Sequence, residues 1–318
     1  MKLKEITIEL TQQCPNCCVY CSSLSSPTKR TVLSVERIEE AIADAVSLGA
    51  RTINLSGGEP FMHPDILRIV KFIHQQQVSC LIYSSGIVLE KDKPVSIPNK
   101  LLEGIKGKVE KLIVNVEAAD EITYNQIMGT SFGGFQLMQS SVRMAISLGI
   151  TVEAHVVPTK LNTQQLPKII GMCGELGISR ISFLRLVVQG RALHNKKQLL
   201  LSDEETTIAK HLIATEAKSS KSIIRLGIPF GDCSQRVNCM TGISKLDIRY
   251  DGRVYPCEAF KNDNIGSLIT AQADSICDRS LKDIYYTSEY LVNVRRLLNE
   301  FQCLDTCETC MNQYYSKK

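Results

Sequence analysis

ITIELTQQCPNCCVYC, residues 6–21, sets the reading of the whole chain. Residues 6–10 are a short β-rich apolar run, and a loop carrying Cys14, Cys17, Cys18 and Cys21 follows at once. Within it, Cys14, Cys18 and Cys21 have the spacing CxxxCxxC, with Tyr20 directly before the last. Three thiolates that close on one loop suit three corners of a cubic iron–sulfur cluster and leave the fourth iron open to another ligand. Zinc ribbons also use closely spaced cysteines, so the segments that follow decide between the two.

Beyond the loop, helix and strand signals alternate. Residues 35–48 carry Ile38, Ala41, Ile42, Ala45 and Val46 at helical spacing, with Ser34 as N-cap and Gly49 as stop. RTINLS (51–56) reads as a strand, a helix is expected over 64–77 from Pro64, and VSCLIYSS (78–85) is the next strand. KLIVNVEA (111–118), ITVEAHVV (150–157) and RISFLRLVV (180–188) continue the series. SLGARTINLS, SLGITVEAHV and ELGISRISFL, from Ser47, Ser147 and Glu175, are versions of one unit: a helix end, a Leu-Gly stop, a strand. Repeated helix–strand units imply a parallel sheet. Six of them predict an α/β fold, an open (β/α)6 three-quarter barrel rather than the closed eight-fold one. Functional loops of such a sheet lie at the C-terminal ends of the strands, where the cysteine loop sits.

The last third differs. Residues 196–222 read as a polar helical linker, with LSDEE (201–205) placing acids where a helix begins. ISKLDIRYDGRVYPC (243–257) is a hairpin signature around Asp251-Gly252 that ends on Cys257. A final helix over about 281–300 leads to Cys303, Cys307 and Cys310. The expected division is a barrel over 1–195, a linking helix and strand over 196–230, and a small cluster domain over 231–318.

Composition agrees. The chain has 318 residues, 44% hydrophobic and 22% charged, and a net charge of +4. A chain of this length buries about 75% of its unfolded surface without disulfide staples. The mild charge and the lack of basic, aromatic-rich stretches argue against nucleic acid. No apolar stretch approaches the ~18 residues of a membrane span, and the N-terminus lacks a signal peptide's apolar core. A cytoplasmic protein is expected, and 13 cysteines in one point to metal or redox chemistry, not disulfides. Cys80 and Cys173 read as core packing. Among the histidines (His63, His74, His155, His194, His211) no pair has metal-ligand spacing within a cysteine cluster, and only His155 falls on a barrel strand.

Cys14, Cys18 and Cys21, followed by Ser56-Gly57-Gly58-Glu59-Pro60 after the second strand, resemble the radical S-adenosylmethionine (radical SAM) enzymes. A zinc site accounts for neither GGEP nor the strand series. The resemblance implies a 4Fe–4S cluster whose open iron takes the amine and carboxylate of SAM. It also implies reductive cleavage of SAM to a 5′-deoxyadenosyl radical, which abstracts a substrate hydrogen. Gly57 and Gly58 then admit the ligand to the backbone, and Glu59, or backbone beside it, receives the methionine ammonium. Tyr20 matches the aromatic near the adenine, with simple packing as the other reading. Asn115 or Glu117 stands where relatives bind the ribose, Ser84 and Ser85 where they place a Thr-Asn-Gly-like turn. Arg185 on the sixth strand faces the barrel or forms a wall salt bridge. Cys17 breaks the family spacing and reads as a spare thiol.

The last third resembles the shortened SPASM module called twitch. Cys239 and Cys257 flank the hairpin, and Cys307 and Cys310 form a CxxC after the final helix. These four imply one auxiliary 4Fe–4S cluster, with Cys233 and Cys303 as substitute ligands or free thiols. An auxiliary cluster suits electron transfer, hence oxidation or epimerisation of a peptide, such as a ribosomally made precursor. A small-molecule dehydrogenase or epimerase acting on a sugar or aminocyclitol is the second expectation. A molybdopterin-precursor cyclase, whose family ends in Gly-Gly where this chain ends in Tyr-Tyr-Ser-Lys-Lys, and a non-catalytic iron–sulfur or zinc protein are more remote. The implied partners are the substrate, a flavodoxin- or ferredoxin-type electron donor and, because the chain begins at its first strand, a separate leader-peptide-binding protein.

Overall fold

The computed structural model describes residues 2–130, 133–227, 239–261, 268–304 and 310–316. In chain order its strands are β1 (Glu5–Glu9), β2 (Thr52–Ser56), β3 (Ser79–Ser84), β4 (Ile87–Glu90), β5 (Lys93–Ser96), β6 (Lys111–Asn115), β7 (Val152–Val156), β8 (Arg180–Phe183), β9 (Ile223–Leu226), β10 (Lys245–Ile248) and β11 (Val254–Tyr255). The helices are α1 (Val35–Ser47), α2 (Ile66–Gln75), α3 (Asn99–Ile105), α4 (Glu121–Met128), α5 (Gly134–Ser147), α6 (Leu166–Leu176), α7 (Arg191–His194), α8 (Lys196–Leu199), α9 (Asp203–Glu216), α10 (Leu281–Thr287), α11 (Glu289–Gln302) and α12 (Met311–Ser316).

Nine strands form one sheet in the order β11-β10-β1-β2-β3-β6-β7-β8-β9. The six expected strands, β1, β2, β3, β6, β7 and β8, are its parallel centre. Both flanks extend it. On one side β9 pairs in parallel with β8, Arg180 against Ile223. On the other β10 pairs in parallel with β1, Glu5 against Lys245 through Ile8 against Ile248. The hairpin of the last third is therefore part of the same sheet, directly beside the strand that leads into the cysteine loop.

Helix α1 follows its sequence signal. Ser34 Oγ accepts from the Arg37 amide at 3.5 Å, and Ile38, Ala41, Ile42 and Ala45 are buried. Each fully buried isoleucine contributes about 1.5–3 kcal/mol. Helix α2 begins at Ile66 rather than Pro64, because the Asp65 amide donates to His63 Nδ1 at 3.1 Å and holds residues 63–65 in a turn. Helix α9 begins where the acids of LSDEE stand: the Glu205 amide donates to Ser202 Oγ and the Ser202 amide to Glu205 Oε2.

Three expectations need correction. The final helix is two helices, because Ser288 is extended (φ −63°, ψ 120°) and its hydroxyl caps α11 from the Leu291 amide. The sixth strand stops at Phe183 instead of running to 188. Leu186, past its end, packs with Ala192 and Leu199 in a small satellite core that also touches Val19, Tyr20 and Val157. Arg185 is consequently off the strand and half-buried in the segment after it. The β4–β5 hairpin was not expected at all. Its turn residues are Lys91 and Asp92, both with positive φ (49° and 61°), a pair without the usual Asn-Gly or Asp-Gly signal.

Candidate active site

The cysteine loop leaves the C-terminal end of β1 and is fastened by its backbone from three sides. After β2, the amides of Gly58 and Glu59 donate to the carbonyls of Thr11 and Gln13 at 2.6 and 2.8 Å. A Cβ on Gly58 would lie 2.1 Å from Gln13 O, so only glycine permits this approach. At the end of α4, the carbonyls of Met128 and Ile127 accept from the amides of Cys17 and Val19 at 3.1 and 2.9 Å. From α7, Arg191 donates through Nε to Cys18 O and through Nη2 to Ser25 O, both at 2.7 Å, and its amide to Cys21 O at 3.0 Å. Asn195 Nδ2 holds Val19 O at 2.8 Å.

Two of the thiols this arrangement gathers, Cys14 and Cys18, are hard to ionise unaided. Cys14 is buried, and burial first, then Cys18, Glu59 and Cys21, pushes its thiol well above the ordinary range. Burial and Cys21 do the same to Cys18, with Arg191 opposing. Cys17 is exposed. Buried, mutually repelling thiolates require a cationic partner among them, and a cubic cluster supplies iron at each sulfur. The donor set fits that group. Among the described residues, no three His, Cys, Asp or Glu groups are arranged to hold a single metal ion.

Glu59 is fully buried and already engaged. Its Oε1 accepts from Ser84 Oγ at 2.8 Å, and its Oε2 from the amide and hydroxyl of Ser85 at 2.8 and 2.7 Å. Burial pushes its carboxyl up to about 7 while these serine bonds pull it down. Pro60 opens a short 3₁₀ turn over Pro60–Met62, which Glu59 caps from the Phe61 amide. Glu59 and Ser84 therefore lock the turn after β2 to the end of β3.

Glu117 is likewise buried, just past β6. Its Oε1 accepts from Tyr20 OH at 2.8 Å and Asn115 Nδ2 at 3.3 Å, and its Oε2 from the Val157 amide at 2.9 Å. Burial pushes it up to about 7 against these bonds. No donor among the described residues reaches Asn115 Oδ1. Deeper in the sheet, Tyr83 and His155 meet edge to face at 5.4 Å. Burial, then Arg225 and Lys111, lowers His155 to about 4, so it is neutral at pH 7.

In the last third, Cys257 is buried and Cys239 and Cys310 are half-buried. Burial raises the Cys257 thiol, with Glu258 next and Cys310 a further neighbour. Lys245 feels both Cys257 and Cys239. Gln302 at the end of α11 donates to Cys239 O at 3.0 Å. Cys303 is exposed, while Cys233 and Cys307 lie outside the described residues.

Residues 8–173 match the family model of the radical SAM superfamily. The chain belongs to the radical SAM superfamily. Residues 239–311 match a second model, the SPASM iron–sulfur cluster-binding domain. This radical SAM protein is 26% identical over 307 residues to the PqqA peptide cyclase of Ruegeria pomeroyi, covering 95% of the chain and 78% of that relative. It is 21% identical over 272 residues to a probable GTP 3′,8-cyclase of Methanococcus maripaludis, covering 83% and 88%. Its fold is that of Streptococcus suis SuiB bound to SAM, with a TM-score of 0.74 at 15% identity over 93% of this chain and 68% of that one. It is also that of anSMEcpe with bound AdoMet and a peptide, with a TM-score of 0.66 at 14% identity over 98% and 94%. The radical SAM and SPASM domains imply 4Fe–4S clusters and SAM binding. Among the described residues, no helix is long and apolar enough to cross a membrane.

Sequence reading missed the clamp from Arg191 and Asn195. Neither belongs to a motif, and both act on carbonyl groups, which leave no trace in side-chain patterns.

Proposed function

We propose that this radical SAM enzyme modifies a peptide by oxidation or epimerisation, holding its SAM-binding cluster on Cys14, Cys18 and Cys21 and an auxiliary cluster on Cys239, Cys257, Cys307 and Cys310. When bound, SAM and its cluster supply hydrogen-atom abstraction, and the auxiliary cluster a one-electron acceptor. The protein binds, orients and encloses. The observation that carries the reading is the fastening of the cysteine loop to the turn after β2, at a contact only glycine allows.

Because both Glu59 oxygens are occupied by Ser84, Ser85 and Phe61, the backbone of Gly57, Gly58 and Glu59 is left to meet the methionine ammonium. Because Glu117 is occupied by Tyr20, Asn115 and Val157, Asn115 Oδ1 is the better ribose acceptor. Tyr20, fixed through its hydroxyl, borders the adenine side. Arg185, in the segment after β8, is proposed as a further cofactor contact, and Cys233 and Cys303 as substitute ligands for the auxiliary site. The barrel spans 1–195, the linking segment 196–230 and the cluster domain 231–318. The reading includes a flavodoxin- or ferredoxin-type donor, a separate leader-binding protein and a cytoplasmic location.

Peptide is preferred to small molecule because the likeness to a peptide cyclase spans 95% of the chain. The weaker likeness to a probable GTP 3′,8-cyclase keeps a small-molecule substrate, a sugar or aminocyclitol included, as the second reading. The test is incubation of anaerobically reconstituted enzyme with SAM, reductant and short peptides encoded beside its gene, read by mass spectrometry. 5′-Deoxyadenosine formation with a peptide two hydrogens lighter, or deuterated from heavy water, supports the proposal. SAM cleavage with turnover only of a small molecule overturns the peptide reading. No SAM cleavage overturns the whole.

A further inference from the structure

Glu9 and Lys261 lie 252 positions apart in the sequence and meet in the interior, Lys261 Nζ donating to Glu9 Oε1 at 2.5 Å. Glu9 is 0% and Lys261 6% exposed. A second buried carboxylate, Asp247 on β10, stands 3.5 Å from the same ammonium. Burial works against the charge on Lys261, but Asp247 and Glu9 outweigh it and hold the ammonium above the ordinary lysine range. Burial pushes Asp247 upward, away from ionisation. The shorter contact identifies Glu9 as the partner and Asp247 as its flank.

Each member of the pair is attached to a cysteine-bearing loop. Oε1 of Glu9 also accepts from the hydroxyl of Ser23, two residues past Cys21. Lys261 is four residues past Cys257, and its carbonyl accepts from Arg249 Nη1 at 2.9 Å. A parallel bond joins the same two regions, Gln12 Nε2 to Tyr250 OH at 2.8 Å. One carboxylate and one ammonium thus connect the two cysteine-bearing regions, away from water, where charges act over longer range. A buried ion pair is a weak source of stability, since desolvation offsets its attraction. Its place between the two loops suggests another use.

We propose that Glu9 and Lys261 are positioning residues that set the reduction potential of the cluster on Cys14, Cys18 and Cys21, resting on the function proposed above. The positive charge of Lys261 favours the reduced, more negative cluster, and Glu9 opposes it. The pair ties that balance to the placement of the loop carrying Cys257.

The test is a redox titration of the reconstituted full chain, followed by the electron paramagnetic resonance signal that changes when SAM is added. Lys261→Met is expected to shift the midpoint downward and Glu9→Gln upward, and the double variant is expected to return toward the parent value. Loss of packing alone would move both single variants the same way, together with their iron content. Unchanged midpoints, or shifts of the same sign, overturn the proposal. If Lys261→Met takes up no iron, Glu9→Gln and Lys261→Arg decide instead: the first still shifts upward and the second stays at the parent value, and an unshifted Glu9→Gln overturns the proposal. A parent protein with no SAM-responsive signal overturns the proposed function itself, a separate outcome.

Discussion

The hydroxyl of Tyr20 donates to Oε1 of Glu117 across 2.8 Å and fixes the residue before Cys21 to the end of β6. One of the two side chains that the family resemblance offers to a ribose thus already accepts from the protein's own tyrosine hydroxyl. Tyr20→Phe leaves a buried carboxylate oxygen with one weaker donor, which costs about 1–3 kcal/mol. Thermal unfolding of the reconstituted protein should show that loss with iron content unchanged, and SAM affinity should fall. Unchanged stability and affinity would mean that the bond is incidental.

Glu59 and Glu117 share a pH signature. Burial raises each to about 7, above the ordinary glutamate value of 4.5. The native state therefore holds protons that the unfolded chain releases, and stability falls as pH rises through that window. Each group contributes up to about 3 kcal/mol below the unfolded pKa that is gone above the folded one. Melting temperature should decline from about pH 5 to about pH 7, and Glu117→Gln should flatten the slope. A melting temperature that rises over this range contradicts the assignment.

Gly58→Ala places a Cβ 2.1 Å from Gln13 O. The clash is with backbone, so the turn after β2 must withdraw from the cysteine loop. The variant should lose about half its iron, keeping the auxiliary four of about eight, and should not form 5′-deoxyadenosine. Full iron with normal SAM cleavage would show that the contact is dispensable.

Arg191→Lys keeps the charge but cannot reach Cys18 O and Ser25 O together, because a single ammonium lacks the guanidinium fork. A stability loss of about 1.5–3 kcal/mol is expected, as for other charged hydrogen bonds. Faster loss of the SAM-responsive cluster to a chelator should accompany it. Equal resistance in the variant and the parent would remove Arg191 from the clamp.

The two cysteine sets separate by their readouts. Replacing Cys14, Cys18 and Cys21 with alanine should remove about four irons and all SAM cleavage. Cys257→Ala should spare SAM cleavage and block product formation. Product at the parent rate from Cys257→Ala would end the electron-acceptor role.

The central sheet was legible because its strands are apolar β-rich runs, and three of them, β2, β7 and β8, also follow a Leu-Gly stop. The cysteine loop and GGEP were legible because their chemistry restricts residue type. What escaped notice depends on contacts that no local pattern encodes. Lys91 and Asp92 adopt a turn usually given to Asn and Gly. Leu186 looks like a strand residue but belongs to a separate small core. Glu59 and Glu117 look like ligand-binding groups, and nothing in the local sequence shows that Ser84, Ser85 and Tyr20 already donate to them. Glu9 and Lys261 carry no mutual signal, since only the fold brings them together.

The parallel pairing of β10 with β1 has an evolutionary corollary. A cluster-bearing appendage is often imagined as a cassette, gained or shed by recombination at a linker. Excision here would strip the flank of β1, exposing unpaired amides and carbonyls that invite aggregation. It would also strand Glu9 without its counter-charge. Loss of an auxiliary cysteine leaves this flank closed, whereas loss of β10 opens it.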